Sequence, residues 1–413
     1  MSELLNVDLA VARIVSDIRP VESENISIYD ALGRVLANDI DAPLDLPIFA
    51  NSSMDGYAVV STDVEGASDV NPITLPVVMD IPAGYAPKTA LKPGQAARIM
   101  TGAPIPQGAD AVIPVENTDA HWGEAATNHQ VVRVFQSVNP GANIRLPGED
   151  VTKGQRIFTK GWVLRPQDIG MLAALGCAEL SVYRRPKVAV LSSGDELVSI
   201  HDPLTPGKIR DSNSFILSNL VRQYGGEVFN FPIARDTKDS IRAMFDAAVA
   251  KKPDMIVTSA GVSVGAADLI KQLLSQMGKV DFWRINIRPG KPLAYGQLAG
   301  IPFFGLPGNP VSAMVTFDVF VRPALMKMIG RNSDVPIRQA KLKESVKSDG
   351  RRTYMRVKLE YNDDGELWAS TTGTQSSGAL MSMVLADGLL ILPENITKTQ
   401  IGDVFPVRLL KEV

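Results

Sequence analysis

From Lys187 onward, apolar runs without polar alternation take turns with amphipathic stretches, and few architectures accept that rhythm. "KVAVLSS" reads as a strand covered on both faces, and a helical stretch from Ser212 to Tyr224 follows it, closed by Gly225 and Gly226. Strand "EVFNFPIA", helix "DSIRAMFDAAVAK" and strand "DMIVTS" continue the series. Helix "DLIKQLLSQMG" presents Leu269, Ile270, Leu273, Leu274 and Met277 at helical spacing and stops at Gly278. Strands "VDFWRINI", "PLAYGQL" and "IPFFGL" and a helix from Pro310 to Ile329 complete it. Short loops between such elements predict a doubly wound sheet with right-handed crossovers over residues 187–330.

The flanks differ. Residues 6–18 and 28–37 carry helical spacing, and "DAPLDLPIFANSSMDG" must be loop. Short β-branched runs such as "ITLPVVM", "DAVIPV" and "HQVVRVF" predict an inserted β-rich domain at 53–140, with 1–52 and 141–186 as an N-terminal and linker region. "RRTYMRVKLEY", "GELWAST", "GLLILP" and "DVFPVRLL" predict a β-rich C-terminal domain over 331–413. The expected class is therefore α/β multidomain, a size for which 413 residues suffice.

A net charge of −3 gives no global attraction to nucleic acid or anionic lipid, so an anionic substrate needs a local site. The N-terminus lacks the apolar core of a secretion signal, and no apolar run is long enough to span a membrane; cytoplasmic is the expectation. The one cysteine, Cys177, excludes an intrachain disulfide and a thiolate cage for a metal.

"GVSVG", Gly261 to Gly265, has the spacing of a hydrolase nucleophile elbow. Such a serine needs a histidine later in the chain, but His121, His129 and His201 all precede Ser263. Ser259, Ala260 and Gly261 also separate it from the apolar run, whereas an elbow serine sits on the turn itself. The alternative is a loop whose glycines let backbone N–H groups approach an anion at a helix N-terminus. Open α/β sheets bind ligands beyond the carboxyl ends of their strands, and those ends read "SSGDE" (192–196), "ARD" (234–236), "TSAGVSVG" and "GLPGNPVS" (305–312). Asp195, Glu196, Asp236 and Asp268 could share that rim and hold Mg2+ beside phosphate. The plainer reading makes Asp236 and Asp268 helix caps. Arg288 and Lys291 in "RPGKP" supply local cations, a phosphate clamp when taken with the glycine loops.

"NSSMDGYAV", "RIMTGAPIPQGADAVIPVE", "IRLPGEDV", "SSGDEL", "TSAGVSVGAAD", "RPGKP" and "GLPGNPVS", in this order, resemble the signatures of the molybdopterin molybdenumtransferases. That family is similar to the C-terminal domain of gephyrin. The resemblance implies an enzyme that takes adenylylated molybdopterin, Mg2+ and molybdate, cleaves the phosphoanhydride, releases AMP and leaves molybdenum on the pterin dithiolene. It implies an elongated homodimer of four-domain chains. The active cleft would lie between the doubly wound domain of one subunit and the β-rich second domain of the other. Docking with the molybdopterin adenylyltransferase and with cofactor-accepting proteins is a further expectation. The single cysteine agrees, since the soft sulfur ligands molybdenum needs must then come with the substrate.

Carried over by position, Asp55 and Thr101 would face the cleft from the partner subunit; without the resemblance both read as turn residues. Asp195, Glu196, Asp236 and Asp268 would hold Mg2+ or position the diphosphate. Ser193, Gly194, Gly261, Ser263 and Gly265 would bind phosphate. Arg288 and Lys291 would pair with phosphate or molybdate, Pro307 and Pro310 would shape the adjoining loop, and Arg145 and Asp150 belong to the matching "IRLPGED". The chain departs from the family pattern at Ala260, which replaces a glycine, at Arg288, which replaces a lysine, and at Leu146-Pro147, where some members carry arginines. Two other readings stand beside this one: an adenylyltransferase, which is essentially the central domain alone, and a gephyrin-like scaffold without catalysis. Neither molybdate nor tungstate preference is written in the motifs.

Overall fold

A computed structural model describes residues 4–120, 130–259 and 267–410, with 267–271 in backbone only. The chain forms two compact units: Met1–Asn38, Lys160–Ile169 and Ala178–Val413 in one, Asp39–Thr159 and Gly170–Cys177 in the other.

The smaller unit is built on a five-stranded sheet in the order Ala111–Pro114, Gly56–Val59, Ala96–Ile99, Ile73–Ile81 and Val131–Val134. Its strands Gly56–Val59 and Ala111–Pro114 carry no charged residue because both of their faces are covered. Tyr57, Val59, Ala111 and Ile113 join one core, while Ala58, Val112, Ala97 and Ile99 join another. Cys177 lies half-buried beside Ala42, Val151 and Leu175, a small apolar filler whose thiol pKa burial pushes up.

The larger unit carries the predicted α/β sheet. Its strands are β1 (Lys187–Leu191), β2 (Glu227–Asn230), β3 (Met255–Thr258), β4 (Gly278–Arg284), β5 (Pro292–Leu298) and β6 (Ile301–Gly305), in the spatial order β2-β1-β3-β6-β5-β4. The first four in that order are parallel, and β5 and β4 close the far edge as antiparallel neighbours. Helices α1 (Asn213–Gln223), α2 (Lys238–Ala250), α3 (Ala267–Met277) and α4 (Pro310–Thr316) connect or follow these strands. The chain steps from β1 to β2 on one side, then returns through α2 to β3 on the other. The carboxyl ends of β1 and β3 therefore flank a topological switch point. Val188, Val190, Met255 and Val257 face one core, and Ala189, Leu191 and Ile256 face a second, so no polar alternation is possible.

The N-terminal helix Val7–Asp17 is capped by Asn6, whose side chain accepts from the Asp8 and Leu9 amides, and it buries Val7, Ala10 and Ile14 in the first core. The C-terminal strands close on themselves: Arg352–Tyr361, Leu367–Thr371, Ile337–Leu342, Val404–Leu409 and Gly388–Leu392 pair in sequence, and the last returns to the first. Met355, Val357, Leu359 and Leu390 fill that barrel. Ile287–Arg288 extends its edge by pairing with Arg352 and Thr353.

Two local expectations fail. No helix spans 28–37; a 3-10 turn at Ile28–Asp30 ends before Gly33, and Val35 and Leu36 bridge to Val163 and Val182. Their side chains are buried by that pairing, which mimics helical spacing. Nor is 310–329 one regular helix. A π segment, Phe317–Val321, separates α4 from Arg322–Met328. Pro323 lacks the N–H that an unbroken helix would donate to Val319, and the Thr316 hydroxyl competes for the Ser312 and Ala313 carbonyls. Among the described residues, no helix is long and apolar enough to cross a membrane.

Candidate active site

Backbone pairing beyond the ends of β1 and β2 brings the "SSGDE" and "ARD" segments together. Ser193 bridges Ala234, the Ala234 amide donates to Ser192 O at 3.0 Å, and the Gly194 amide donates to Ala234 O at 3.1 Å. The Asp195 amide then donates to Asp236 Oδ2 at 3.4 Å, and the Asp236 amide to Asp195 Oδ1 at 3.3 Å. Each carboxylate thus holds the other's backbone. Glu196 folds back over the same turn, since a Cβ on Gly194 would stand 2.8 Å from Glu196 Oε2.

Asp236 does not cap α2. Thr237 does, accepting from the Ser240 amide at 3.3 Å. Free of that duty, Asp236 is half-buried, and desolvation raises its pKa; the Asp195 amide opposes this, while the Glu196 and Asp195 charges add to it. Among the described residues, no group of three or more His, Cys, Asp or Glu is arranged to hold a metal. Gly261, Ser263, Gly265 and Ala260 lie outside the described residues, and Asp268 is placed only as backbone in the first turn of α3.

Around the switch point, buried Ser192 and Ser259 approach each other at 3.3 Å between hydroxyls. Gly308, between Pro307 and Asn309, accepts from Asn213 Nδ2 at 2.7 Å, which ties the "GLPGNP" loop to the start of α1. Pro310 opens α4, where its missing N–H costs nothing.

Arg288 and Lys291 line a cleft of about 410 Å³ that also takes Lys347, Arg351 and Arg356 from the barrel and Ser312 from α4. Gly290 turns the "RPGK" loop at φ +102°, where a Cβ would stand 2.3 Å from Thr316 Cγ2. Asp349 compensates two of these cations: it lies 3.6 Å from Arg288 and is bonded to Arg351. Lys291, Lys347 and Arg356 form no ion pair among the described residues. Arg356 is 1% exposed, and its guanidinium donates to Ser382 Oγ, Ser376 O and Thr374 O, all neutral. Burial, with the Arg288 charge nearby, lowers its pKa to about 10. Arg356 escapes sequence reading: on "TYMRVKLEY" it alternates with Met355 and Val357, as a solvated strand face does.

In the smaller unit, Asp55 and Thr101 meet. Asp55 Oδ1 accepts from the Thr101 amide at 2.5 Å and its hydroxyl at 2.8 Å. Arg145 pairs through its backbone with Asn51, which sets "IRLPGED" beside "NSSMDG"; the Asp150 amide donates to Leu46 O, and both side chains are exposed.

Comparison with known proteins agrees along the chain. Residues 5–176 match the family described as MoeA N-terminal region (domain I and II), 189–327 a probable molybdopterin binding domain, and 339–410 the MoeA C-terminal region (domain IV). Molybdopterin molybdenumtransferase 2 of Mycobacterium tuberculosis is 40% identical over 95% of both chains. The molybdopterin molybdenumtransferase of Haemophilus influenzae is 36% identical over 97% of both. The crystal structure of a molybdopterin biosynthesis moea protein from Pyrococcus horikosii superposes with a TM-score of 0.83 at 33% identity, covering 100% of both chains. With three successive matches and full-length relatives, the chain belongs to the MoeA family.

Proposed function

We propose that this chain inserts molybdate into adenylylated molybdopterin, cleaving the phosphoanhydride with Mg2+ and releasing AMP. One observation carries the reading: a buried arginine without a counter-acid, Arg356, shares a cleft with Arg288 and Lys291. Buried charge is costly unless paired, and a tetrahedral dianion such as molybdate supplies the pairing. Lys291 and Arg288 attract and orient that oxyanion, and the positive charge of Arg356, held in place by Ser382 and Ser376, favours its entry.

Mg2+ keeps several waters and takes one or two carboxylates, so it does not require a closed protein cage. Asp195 and Asp236, with Glu196 folded beside them, fit that demand, since their carboxylates stand together on one interlocked turn. These carboxylates would hold Mg2+, which would supply charge neutralisation for the diphosphate. Asp268 is proposed as a further carboxylate of the set. Ser193, beside Gly194, offers its hydroxyl to the phosphates, and Gly261, Ser263 and Gly265 are proposed to bind them too, while Pro307 and Pro310 hold the neighbouring loop in place. Phosphoryl chemistry of this kind needs positioning and charge neutralisation more than a protein nucleophile. Asp55 and Thr101, braced against each other, belong to the same cleft from the partner subunit of a homodimer, with Arg145 and Asp150 nearby.

The test is AMP release from adenylylated molybdopterin with Mg2+ or molybdate omitted in turn. AMP formation that needs both supports the reading; no AMP from an active substrate preparation overturns it. Asp236→Ala should lower the rate at least a hundredfold. Pyrophosphate release from ATP and molybdopterin would instead indicate the adenylyltransferase.

A further inference from the structure

A small cavity of about 180 Å³ in the larger unit is lined by Arg34, Arg184, Arg185, Arg222 and Arg331, and among the described residues its lining includes no acid. Like charges converge there although the chain as a whole carries −3. The cavity shares no residue with the cleft of Arg288 and Lys291. Four separate stretches of chain build it. Arg34 follows the turn at Gly33, and Arg184 and Arg185 follow the strand Glu179–Tyr183. Arg222 stands in the last turn of α1, and Arg331 lies just past the helix Arg322–Met328.

Two of the five have carboxylate partners. Arg34 pairs with Glu24 and donates to Tyr183 O, and Arg184 pairs with Glu22 and Asp254. Arg185, Arg222 and Arg331 form no ion pair among the described residues; Arg222 donates only to the neutral Asn219 Oδ1, at 3.4 Å. Helix ends account for part of this excess. The carbonyl ends of α1 and of Arg322–Met328 carry roughly half a negative charge each, so together they offset about one of the three. Even that is an upper bound, because the Gly225, Gly226, Gly330 and Arg331 amides already bond several of those carbonyls. Behind the lining, buried Arg322 lies 5.2 Å from the ring of Tyr224 and adds a further cation. Arg331 is exposed over its length, yet desolvation of its guanidinium and the Arg322 charge lower its pKa.

Size and charge together define the ligand. The cavity is smaller than the roughly 300–1,000 Å³ that drug-sized ligands occupy, which rules out a nucleotide or a pterin. Guanidinium forks match the oxygens of phosphate groups, and several forks around one space suit an anion with more than one charge. We propose that this cavity is a second anion site, separate from the cation cleft, which takes a small multivalent phosphate species: inorganic phosphate or diphosphate. Arg185, Arg222 and Arg331 supply the unspent charge, while Arg34 and Arg184, fixed by their acids, hold the walls. The site depends on neither Mg2+ nor a pterin, so it stands or falls apart from the proposed function.

Calorimetric titration of inorganic phosphate and, separately, of diphosphate into the full chain without Mg2+ is the test, and the tighter of the two identifies the ligand. Arg185→Gln and Arg331→Gln should each weaken that binding roughly tenfold, as expected for the loss of one charge-assisted hydrogen bond. Both side chains are exposed, so melting temperatures should stay at the wild-type value. Lys291→Ala, in the cation cleft, and Arg13→Gln, on the exposed face of the N-terminal helix, should bind the anion as the wild type does. A wild-type chain that binds neither anion overturns the inference, as do glutamine variants that bind like wild type. Loss of binding in Lys291→Ala would place the anion in the cation cleft instead, and an equal loss in Arg13→Gln would reduce the effect to net charge; either result also overturns it.

Discussion

At the scale of single residues, two buried charges have opposite fates. Arg356 is left to neutral acceptors, and under the proposed function an oxyanion completes its environment. Arg356→Lys keeps a charge but loses the fork to Ser382 and Ser376, so KM for molybdate should rise roughly tenfold; an unchanged KM would remove Arg356 from the oxyanion site. Asp168 is fully paired instead: the Arg165 guanidinium, helped by the Trp162 indole N–H and the Arg165 amide, holds its pKa down to about 2 against burial. A depressed carboxylate stabilises the fold above its ordinary range and stops doing so as pH falls from about 4 towards 2. Asp168→Asn should therefore be less stable at neutral pH, and urea midpoints of the two proteins should converge near pH 2. A constant gap would show that the effect is steric.

Elements decide how those residues meet. The two-residue strand Ile287–Arg288 is pinned to the barrel by Arg352 and Thr353, and Gly290 lets the loop turn back to Lys291 against Thr316. Gly290→Ala adds strain of about 1–3 kcal/mol at a positive φ and a clash with α4. It should raise KM for molybdate while leaving the AMP affinity of the chain near wild type. The segment after Thr371 acts from the other side. Gln375 both accepts from the Arg356 amide and donates to its carbonyl, and Asn309 bonds Ser377, so one short strap joins the barrel to the loop before α4. Parallel pairing of β1 with β2 and β3 does the same for the carboxylates and Ser259, because strands that run together end together.

On the scale of the whole molecule, the proposed cleft draws on two chains. If Asp55 serves the partner's site, a chain dead from Asp55→Ala and one dead from Asp236→Ala restore each other when mixed and allowed to exchange. Random pairing gives half hybrid dimers, each with one intact site, or about a quarter of full activity. Recovery indistinguishable from zero, with exchange demonstrated, would place Asp55 and Asp236 in the same chain's site or outside any site.

Much of this was decided locally. The two-faced strands at 187–191 and 255–258, the helices between them and the glycine-rich strand ends follow from periodicity, because burial on both faces leaves no room for polar alternation. Even so, burial by pairing passed for helical spacing at Val35 and Leu36, and only the competition between Thr316, Pro323 and the backbone produced the π segment. Arg356 marks the boundary most clearly. Its position in the strand is that of a solvated side chain, and it is buried because residues 374–377, distant in the chain, close over it. Sequence sets what each segment prefers among its own neighbours; which charges lose water together depends on contacts that exist only after the chain has closed its long loops.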